Sequence, residues 1–121
     1  MVDLAAAFDG FAEHWSPRIA GDVNDCQVRL AKLLGEFVWH RHDAEDELFL
    51  VVKGRLRMRF RDRDDAVVAP GQFLVVPRGV EHLPVAEEEE EEVHVVLVEP
   101  RSTLHTGDVV SNRTVREFAR I

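Results

Sequence analysis

Short apolar runs separated by turn residues fill the chain from about residue 26 to residue 100. Eight runs rich in Val, Leu and Phe lie at 26–34, 36–42, 47–54, 55–61, 65–70, 72–78, 81–86 and 92–100. Glycine, proline and aspartate stand in the connections between them, where a chain reverses direction. Strand-length runs spaced in this way are typical of a sandwich or barrel of β-strands. The sequence therefore predicts an all-β fold.

Two of these runs indicate how the strands are buried. In residues 55–61, Leu56, Met58 and Phe60 alternate strictly with arginines, which predicts a half-buried strand with a basic outer face. Residues 93–100 are apolar on both faces instead. This second pattern predicts a central strand, or one that another subunit covers.

The two ends of the chain depart from the strand pattern. Near the N-terminus, four large apolar residues recur at helical spacing: Leu4, Phe8, Phe11 and Trp15. They predict a short amphipathic helix within residues 2–15, which ends before Pro17. After residue 100 the chain is polar with scattered apolar residues. We therefore divide the chain into an N-terminal helical segment (1–20), a barrel domain (21–100) and a C-terminal tail (101–121) that packs on the barrel or on a partner subunit.

The composition argues against several classes of function. The net charge is −8, and six acidic residues form one run at 87–92. We expect this run to be a solvated loop. The alternative is a site that attracts a cation or a basic partner. Without a basic face, the chain is expected to bind neither nucleic acid nor a membrane. The single cysteine, Cys26, forms no intrachain disulfide, and the N-terminus resembles neither a signal peptide nor a membrane span. These features predict a cytoplasmic protein.

Three histidines and one glutamate form the most informative pattern. His40 and His42 are separated by one residue, so in a strand both side chains point to the same side. Glu47 follows a turn and opens the next strand, where it can lie beside the two imidazoles. Imidazole and carboxylate ligands suit a divalent transition metal, but a charged surface hairpin explains these three residues equally well. His82 lies beyond a tight turn, 77–79, that can direct its side chain into the same cavity.

These residues resemble the two motifs of the cupin superfamily, in the style of its small bacterial single-domain members. The first motif is matched by Gly35, His40, His42, Glu47 and Gly54, and the second by Gly71, Pro77, Gly79 and His82. Two positions depart from the usual pattern: Gly35 is one residue closer to His40 than is common, and Ala86 stands where the second motif often has asparagine. Neither position is a metal ligand in the family. The motifs span 35–82, and the strand pattern extends the resemblance to about residue 100.

The resemblance implies a cupin-type jelly-roll β-barrel, which is here preceded by the short N-terminal helix. It also implies a metal site whose ligands are His40, His42, Glu47 and His82. Three imidazoles and one carboxylate leave two positions open in an octahedral shell, where an ion can polarise a substrate or bind oxygen. The ligand set is compatible with one ion of Fe, Mn, Ni, Co, Cu or Zn.

Three functions are compatible with such a site. We expect a metal-dependent enzyme that acts on a small molecule in the barrel, either a dioxygenase or an isomerase or epimerase of sugar-like substrates. The alternatives are a non-catalytic protein that binds or senses a small ligand, and a structural dimer whose metal only stabilises the barrel. Solvent access to the metal distinguishes them, because an enzyme or a sensor needs an open mouth at the ion.

Further residues have candidate roles near the site. Phe49, Met58 and Phe60 can wall a substrate pocket or fill the core, and the interiors of small barrels are mostly filled by side chains. His94 is the candidate acid–base catalytic residue if it faces the interior; on the other face of its strand it is an exposed or interfacial histidine. Trp39 points out of the barrel by strand alternation and predicts a covered surface, hence a homodimer.

Overall fold

The computed structural model describes residues 1–109 and 118–121. In this part of the chain, one helix and eight strands follow one another: α1 (Leu4–Asp9), β1 (Arg18–Val23), β2 (Cys26–Leu33), β3 (Glu47–Lys53), β4 (Leu56–Phe60), β5 (Ala66–Val68), β6 (Phe73–Val76), β7 (His82–Ala86) and β8 (Val93–Pro100). All paired strands are antiparallel. The prediction of an all-β fold with a short N-terminal helix is confirmed.

The strands form two sheets that enclose one core. The larger sheet has the order β1-β2-β8-β3-β6, and the smaller sheet has the order β5-β4-β7. Buried side chains from both sheets meet in one cluster, whose members include Leu33, Val51, Met58, Val68 and Val95. Covering one apolar face with the other removes both from water, which is the main favourable contribution to folding. The result is the β-barrel of jelly-roll type that the family resemblance implies.

Strand β8 lies in the centre of the larger sheet, between β2 and β3. Its side chains Val93, Val95 and Leu97 belong to the core. On the opposite face, Val96 packs with Phe8 of helix α1. The prediction of a central strand is confirmed, and the covering helix explains why this strand is apolar on both faces.

The N-terminal region is less helical than the apolar spacing predicts. Helix α1 has six residues and is capped at its C-terminal end by Gly10, a residue type with low helix propensity. Trp15 adopts a φ of 55°, outside the right-handed helical region. Residues 18–23 then form β1 at the edge of the larger sheet, a strand that the sequence pattern does not predict. A bulge between Ile19 and Gly21 interrupts its pairing with β2 and obscures the alternation.

Residues 36–42 do not form the continuous strand that their composition predicts. The segment runs beside β7 through two isolated bridges, Glu36 with Val85 and His40 with His82. Between the bridges, the backbone N–H of Phe37 donates to the carbonyl oxygen of Pro84 at 3.1 Å. Proline has no N–H with which to return the bond, so the ladder is broken at this point.

The C-terminal tail packs on the barrel as far as the structure describes it. Three of its residues are buried: Thr103, His105 and Thr106. The guanidinium of Arg29 on β2 donates to the carbonyl oxygen of Arg101 at 3.0 Å and holds the start of the tail. Residues 119–121 run beside Ile19 through two backbone hydrogen bonds. Residues 110–117, which belong to the predicted tail, lie outside the described residues.

Two expectations from the composition concern surface features. The acidic run 87–92 forms the connection between β7 and β8 and is largely exposed, as expected of a solvated loop. Within the described ranges, no helix has the length and hydropathy that a membrane crossing needs.

Candidate metal centre

Three separate segments bring the four expected ligands together. His40 and His42 come from the irregular segment before β3, Glu47 is the first residue of β3, and His82 is the first residue of β7. The backbones of His40 and His82 exchange two hydrogen bonds with N···O distances of 3.0 and 2.8 Å. This pairing places the centroids of their rings 4.3 Å apart.

The possible ligand atoms form a compact, buried group. One ring nitrogen of each histidine and one carboxylate oxygen of Glu47 all lie within 4.8 Å of one another. Each of the four residues is at most 4% exposed. Oε1 of Glu47 lies 3.1 Å from Nε2 of His42 and 3.7 Å from Nε2 of His82. Two ligands of one ion, each about 2.1 Å from it, are separated by roughly 3–4 Å, so this group can hold a metal ion.

Backbone carbonyl groups orient two of the rings. Nδ1 of His40 lies 2.8 Å from the carbonyl oxygen of Val38, and Nδ1 of His82 lies 2.9 Å from that of Val80. Because a carbonyl oxygen only accepts, each Nδ1 carries the proton and each Nε2 keeps a free lone pair. Histidines that bind metals commonly have such an outer partner. The two tautomers therefore suit metal ligands.

Nε2 of His82 gives the strongest indication that an ion belongs here. The atom is buried and has no hydrogen-bond partner among the described residues. A buried polar atom left in this state costs about 1–3 kcal/mol. A divalent cation bound with the other three side chains would satisfy it, so the residues present fit the metal that the resemblance implies.

The charges of the group also favour a cation. Burial lowers the pKa of His40 to about 4, and the neighbouring His82 adds to this effect, so the His40 ring is neutral at neutral pH. Burial opposes the charge of Glu47, but hydrogen bonds with side chains that include Glu99 and His42 hold its pKa well below its usual range. Burial alone would lower the pKa of His42, but its hydrogen bond to Glu47 raises it. The group thus contains one carboxylate, that of Glu47, whose lowered pKa favours its negative charge.

A buried ion pair lies next to Glu47. Nη1 of Arg29 donates to Oε1 of Glu99 at 2.8 Å, and neither side chain is exposed. Burial and the negative charge of Glu47 raise the pKa of Glu99 well above its usual range, while Arg29 opposes the shift. Two neighbouring carboxylates are not readily both charged in a dry interior, and the pKa values of Glu47 and Glu99 shift in opposite directions. These shifts favour the negative charge on Glu47, at the ligand group.

A cavity adjoins the ligand group inside the barrel. His40 and Glu47 form part of its wall. Phe49 lines this cavity, where a pocket wall is expected. Met58 is instead fully buried in the core between the sheets, and Phe60 packs against the same cluster. The expectation of pocket roles for Met58 and Phe60 is therefore corrected, because the barrel interior at their positions is filled by packed side chains.

His94 lies away from this cavity. Its neighbours Val93 and Val95 point into the core, so strand alternation places His94 on the outer face of the sheet. There its ring stacks on Phe8 of α1 with 4.5 Å between centroids, and its Nε2 lies 3.1 Å from Oε1 of Glu92. This position contradicts the candidate role of His94 as an acid–base residue at the metal. Its side chain contacts the N-terminal helix instead.

Three residues of the cavity wall are not predicted from the sequence. Trp15 comes from the N-terminal segment, Phe37 from the segment before β3, and His105 from the C-terminal tail. The rings of Trp15 and Phe37 stack with centroids 4.5 Å apart and 12° between their planes, and Phe37 also stacks with His105 at 5.7 Å. The aromatic residues themselves are visible in the sequence. Their meeting depends on contacts between segments that are far apart in the chain.

Trp39 does not present the bare apolar surface from which a homodimer is predicted. The guanidinium groups of Arg59 and Arg61 lie over its ring, 5.5 and 4.0 Å from the centroid. Such cation–π contacts are favourable at a protein surface and cover the indole within one chain. The homodimer stays a prediction.

The fold and the site together define a small β-barrel protein whose interior holds three buried histidines and one glutamate beside a cavity. The family model described as "Cupin domain" matches residues 28–99, a range that contains all four candidate ligands. The chain belongs to this cupin family, and the predicted resemblance is confirmed.

Known proteins agree with this assignment. The chain is 44% identical over 82 residues to the uncharacterized protein YdbB of Bacillus subtilis (strain 168), which corresponds to 68% of this chain and 73% of the relative. It is also similar to the crystal structure of a cupin-2 domain containing protein from Shewanella frigidimarina, with a TM-score of 0.77, 40% identity and coverage of 84% of this chain and 95% of the other. Protein NMB1881 from Neisseria meningitidis matches with a TM-score of 0.73, 30% identity and coverage of 83% and 98%. These likenesses establish family and fold, and the reaction has to be inferred from the site.

Proposed function

We propose that this cupin binds one divalent transition metal ion through His40, His42, Glu47 and His82 and acts as a metal-dependent enzyme on a small molecule held in the adjoining cavity. One observation carries the proposal: His40 and Glu47 belong both to the ligand group and to the cavity wall. A molecule in the cavity therefore lies beside the ion. A metal with a purely structural role needs no such cavity.

The chain's own residues supply the setting for the chemistry. When bound, the ion would serve as a Lewis acid or as a site for oxygen, depending on whether it is Fe, Mn, Ni, Co, Cu or Zn. Backbone carbonyl groups orient the rings of His40 and His82, and Glu47 stays anionic because neighbouring side chains hold its pKa down. The wall of the cavity is largely apolar, and surroundings of low polarity strengthen electrostatic interactions inside the site.

Both reaction classes expected from the sequence, oxygenation and isomerisation of sugar-like substrates, use a metal of this kind. Within the described residues, His105 is the titratable side chain of the cavity wall that is not a candidate ligand. It replaces His94 as the candidate to hold or move a proton beside a bound molecule. The non-catalytic alternative, a protein that binds or senses a small ligand, uses the same cavity and ion and differs in the absence of turnover.

Metal analysis of ligand variants tests the assignment. The variants His42→Gln and His82→Gln each remove one imidazole from the group while keeping a polar side chain. We expect about one equivalent of metal per chain in the wild type, and loss of the metal together with a lower melting temperature in each variant. His14→Gln is the control, because His14 lies outside the group, half exposed, 2.6 Å from Glu92.

The outcomes separate the hypotheses. Metal retained at the wild-type level in both ligand variants would contradict the ligand assignment. A folded wild type that takes up none of the six ions would exclude the metalloenzyme and the structural-metal alternative together. If the metal is bound, turnover of a small molecule by the loaded protein distinguishes the enzyme from the sensor.

A further inference from the structure

We infer that the cavity takes a small, planar aromatic molecule that carries an oxygen donor, and that it does not take a sugar. The inference rests on the proposed function, because the oxygen donor is directed toward the metal. The side chains of the cavity wall support the inference. The ligand set is compatible with both substrate classes, but the chemistry of the wall suits an aromatic molecule better than a sugar.

Apolar side chains form most of this wall. They come from the N-terminal segment and from both sheets, and include Pro17, Ala31, Leu33, Pro84, Val95 and Leu97. The polar side chains of the described wall are His40, Glu47 and His105, together with the indole N–H of Trp15. His40 and Glu47 are candidate metal ligands, and the indole N–H already donates to the carbonyl oxygen of Leu34 at 2.9 Å. Few polar groups therefore remain for a ligand.

A sugar is poorly matched to such a wall. Each of its hydroxyl groups exchanges hydrogen bonds with water, and a hydroxyl buried without a replacement partner weakens binding by about 10-fold. Besides the metal, the wall offers few polar side chains to serve several hydroxyls. An aromatic ring loses no hydrogen bonds on entry and gains from the removal of its apolar surface from water.

Aromatic side chains also favour a flat ligand. Trp15, Phe37, Phe49 and His105 all line the cavity. Aromatic rings attract one another in stacked or edge-to-face arrangements with centroids about 4.5–7 Å apart, and the stacked pair of Trp15 and Phe37 already lies within this range. A planar ring can extend such an arrangement, whereas a puckered sugar ring cannot do so over its whole face.

The position of Trp15 is held by its backbone as well as by its side chain. Its backbone N–H donates to the carbonyl oxygen of Lys32 at 2.9 Å. Its φ of 55° is rare for a bulky residue and costs free energy. Strain that persists at one residue indicates that the position of its side chain matters, and this side chain is the indole that the N-terminal segment contributes to the cavity wall.

Intrinsic fluorescence separates the cavity from the surface. The chain has two tryptophans: Trp15 lines the cavity, and Trp39 lies outside it beneath Arg59 and Arg61. The variant Trp39→Phe leaves Trp15 as the only reporter, and Trp15→Phe is the matched control. Both proteins are loaded with Zn²⁺, their zinc content is measured, and each is titrated with catechol and, separately, with xylose.

We expect catechol to produce a saturable change in the emission of Trp39→Phe. By calorimetry, catechol should bind to Trp15→Phe about 10-fold more weakly than to the wild type. Xylose should produce neither an emission change nor heat at concentrations that saturate the protein with catechol.

Three results would overturn the inference. The first is xylose binding as tight as catechol binding, which a comparison on the unaltered wild type measures even if Trp15→Phe does not fold. The second is a saturable change in emission on catechol addition in Trp15→Phe, where Trp39 is the reporter, together with no such change in Trp39→Phe, where Trp15 is the reporter. The third is a protein that holds about one zinc per chain and binds neither probe, which leaves the metal centre intact. A folded protein that takes up none of the six candidate ions, Zn²⁺ included, refutes the proposed function itself, and the inference with it.

Discussion

Acid should destabilise the metal-free protein through His40. The pKa of this ring is about 4 in the folded protein, against an ordinary value of 6.5, because the side chain is buried. A histidine whose pKa is lower in the folded state binds protons more tightly when the chain is unfolded. Its contribution to stability is therefore complete above about pH 6.5 and is lost as the pH falls toward 4. With about 1.4 kcal/mol for each pKa unit, the whole loss amounts to roughly 3 kcal/mol.

Urea denaturation in the presence of EDTA measures this loss. Between pH 7.5 and pH 4.5 the unfolding free energy should fall by about 2.5 kcal/mol through His40 alone. Other groups titrate in the same interval, and His42 contributes in the opposite direction because its pKa is raised. The relevant quantity is therefore the difference between the wild type and His40→Gln, which lacks the titrating ring. Equal pH dependence in the two proteins would refute the argument that His40 is buried and neutral.

Three further outcomes are expected. Arg29→Met should lower the unfolding free energy in urea by about 3 kcal/mol, because it removes a buried charge that holds Glu99 and the C-terminal tail. Gly107→Ala should lower the melting temperature and weaken metal retention against a competing chelator, because a Cβ would overlap the carbonyl oxygen of Arg41 and lie 2.8 Å from Cδ2 of His40. The predicted homodimer should sediment at about twice the chain mass of 13.8 kDa.

Matched variants make these outcomes decisive. Gly71 has a φ of 85° with open space around it, whereas Gly107 has a φ of 58° and close neighbours. Gly71→Ala therefore shows the effect of backbone strain alone, and an equal loss of metal in both alanine variants would contradict the contact with His40. Arg29→Lys should recover little stability, since an ammonium cannot replace a forked guanidinium, and full recovery would show that only the charge matters. A sedimenting mass near that of one chain at every concentration would exclude the dimer.

Local patterns in the sequence predict the class of fold and the candidate ligands. Strand-length apolar runs and turn residues indicate the all-β barrel because both patterns are local, with a period of two along a strand and fixed backbone preferences in a turn. The spacing of His40 and His42, the turn before Glu47 and the turn before His82 are local in the same sense. The structure brings these four side chains together although residues 36–42 are not a regular strand, since their burial still alternates near the two histidines.

The residues that surround the ligands depend on contacts between segments that are far apart in the chain. His94 lies on a strand that is apolar on both faces, so alternation along the sequence does not show which face His94 occupies. Its position on the outer face is evident only from its contact with helix α1. The cavity wall joins Trp15, Phe37 and His105 from three distant segments, and strand β1 depends on pairing with β2 across a bulge. Contacts of this kind form only when the chain closes on itself, because the free energy of burying such surfaces belongs to the packed sheets and not to any one segment.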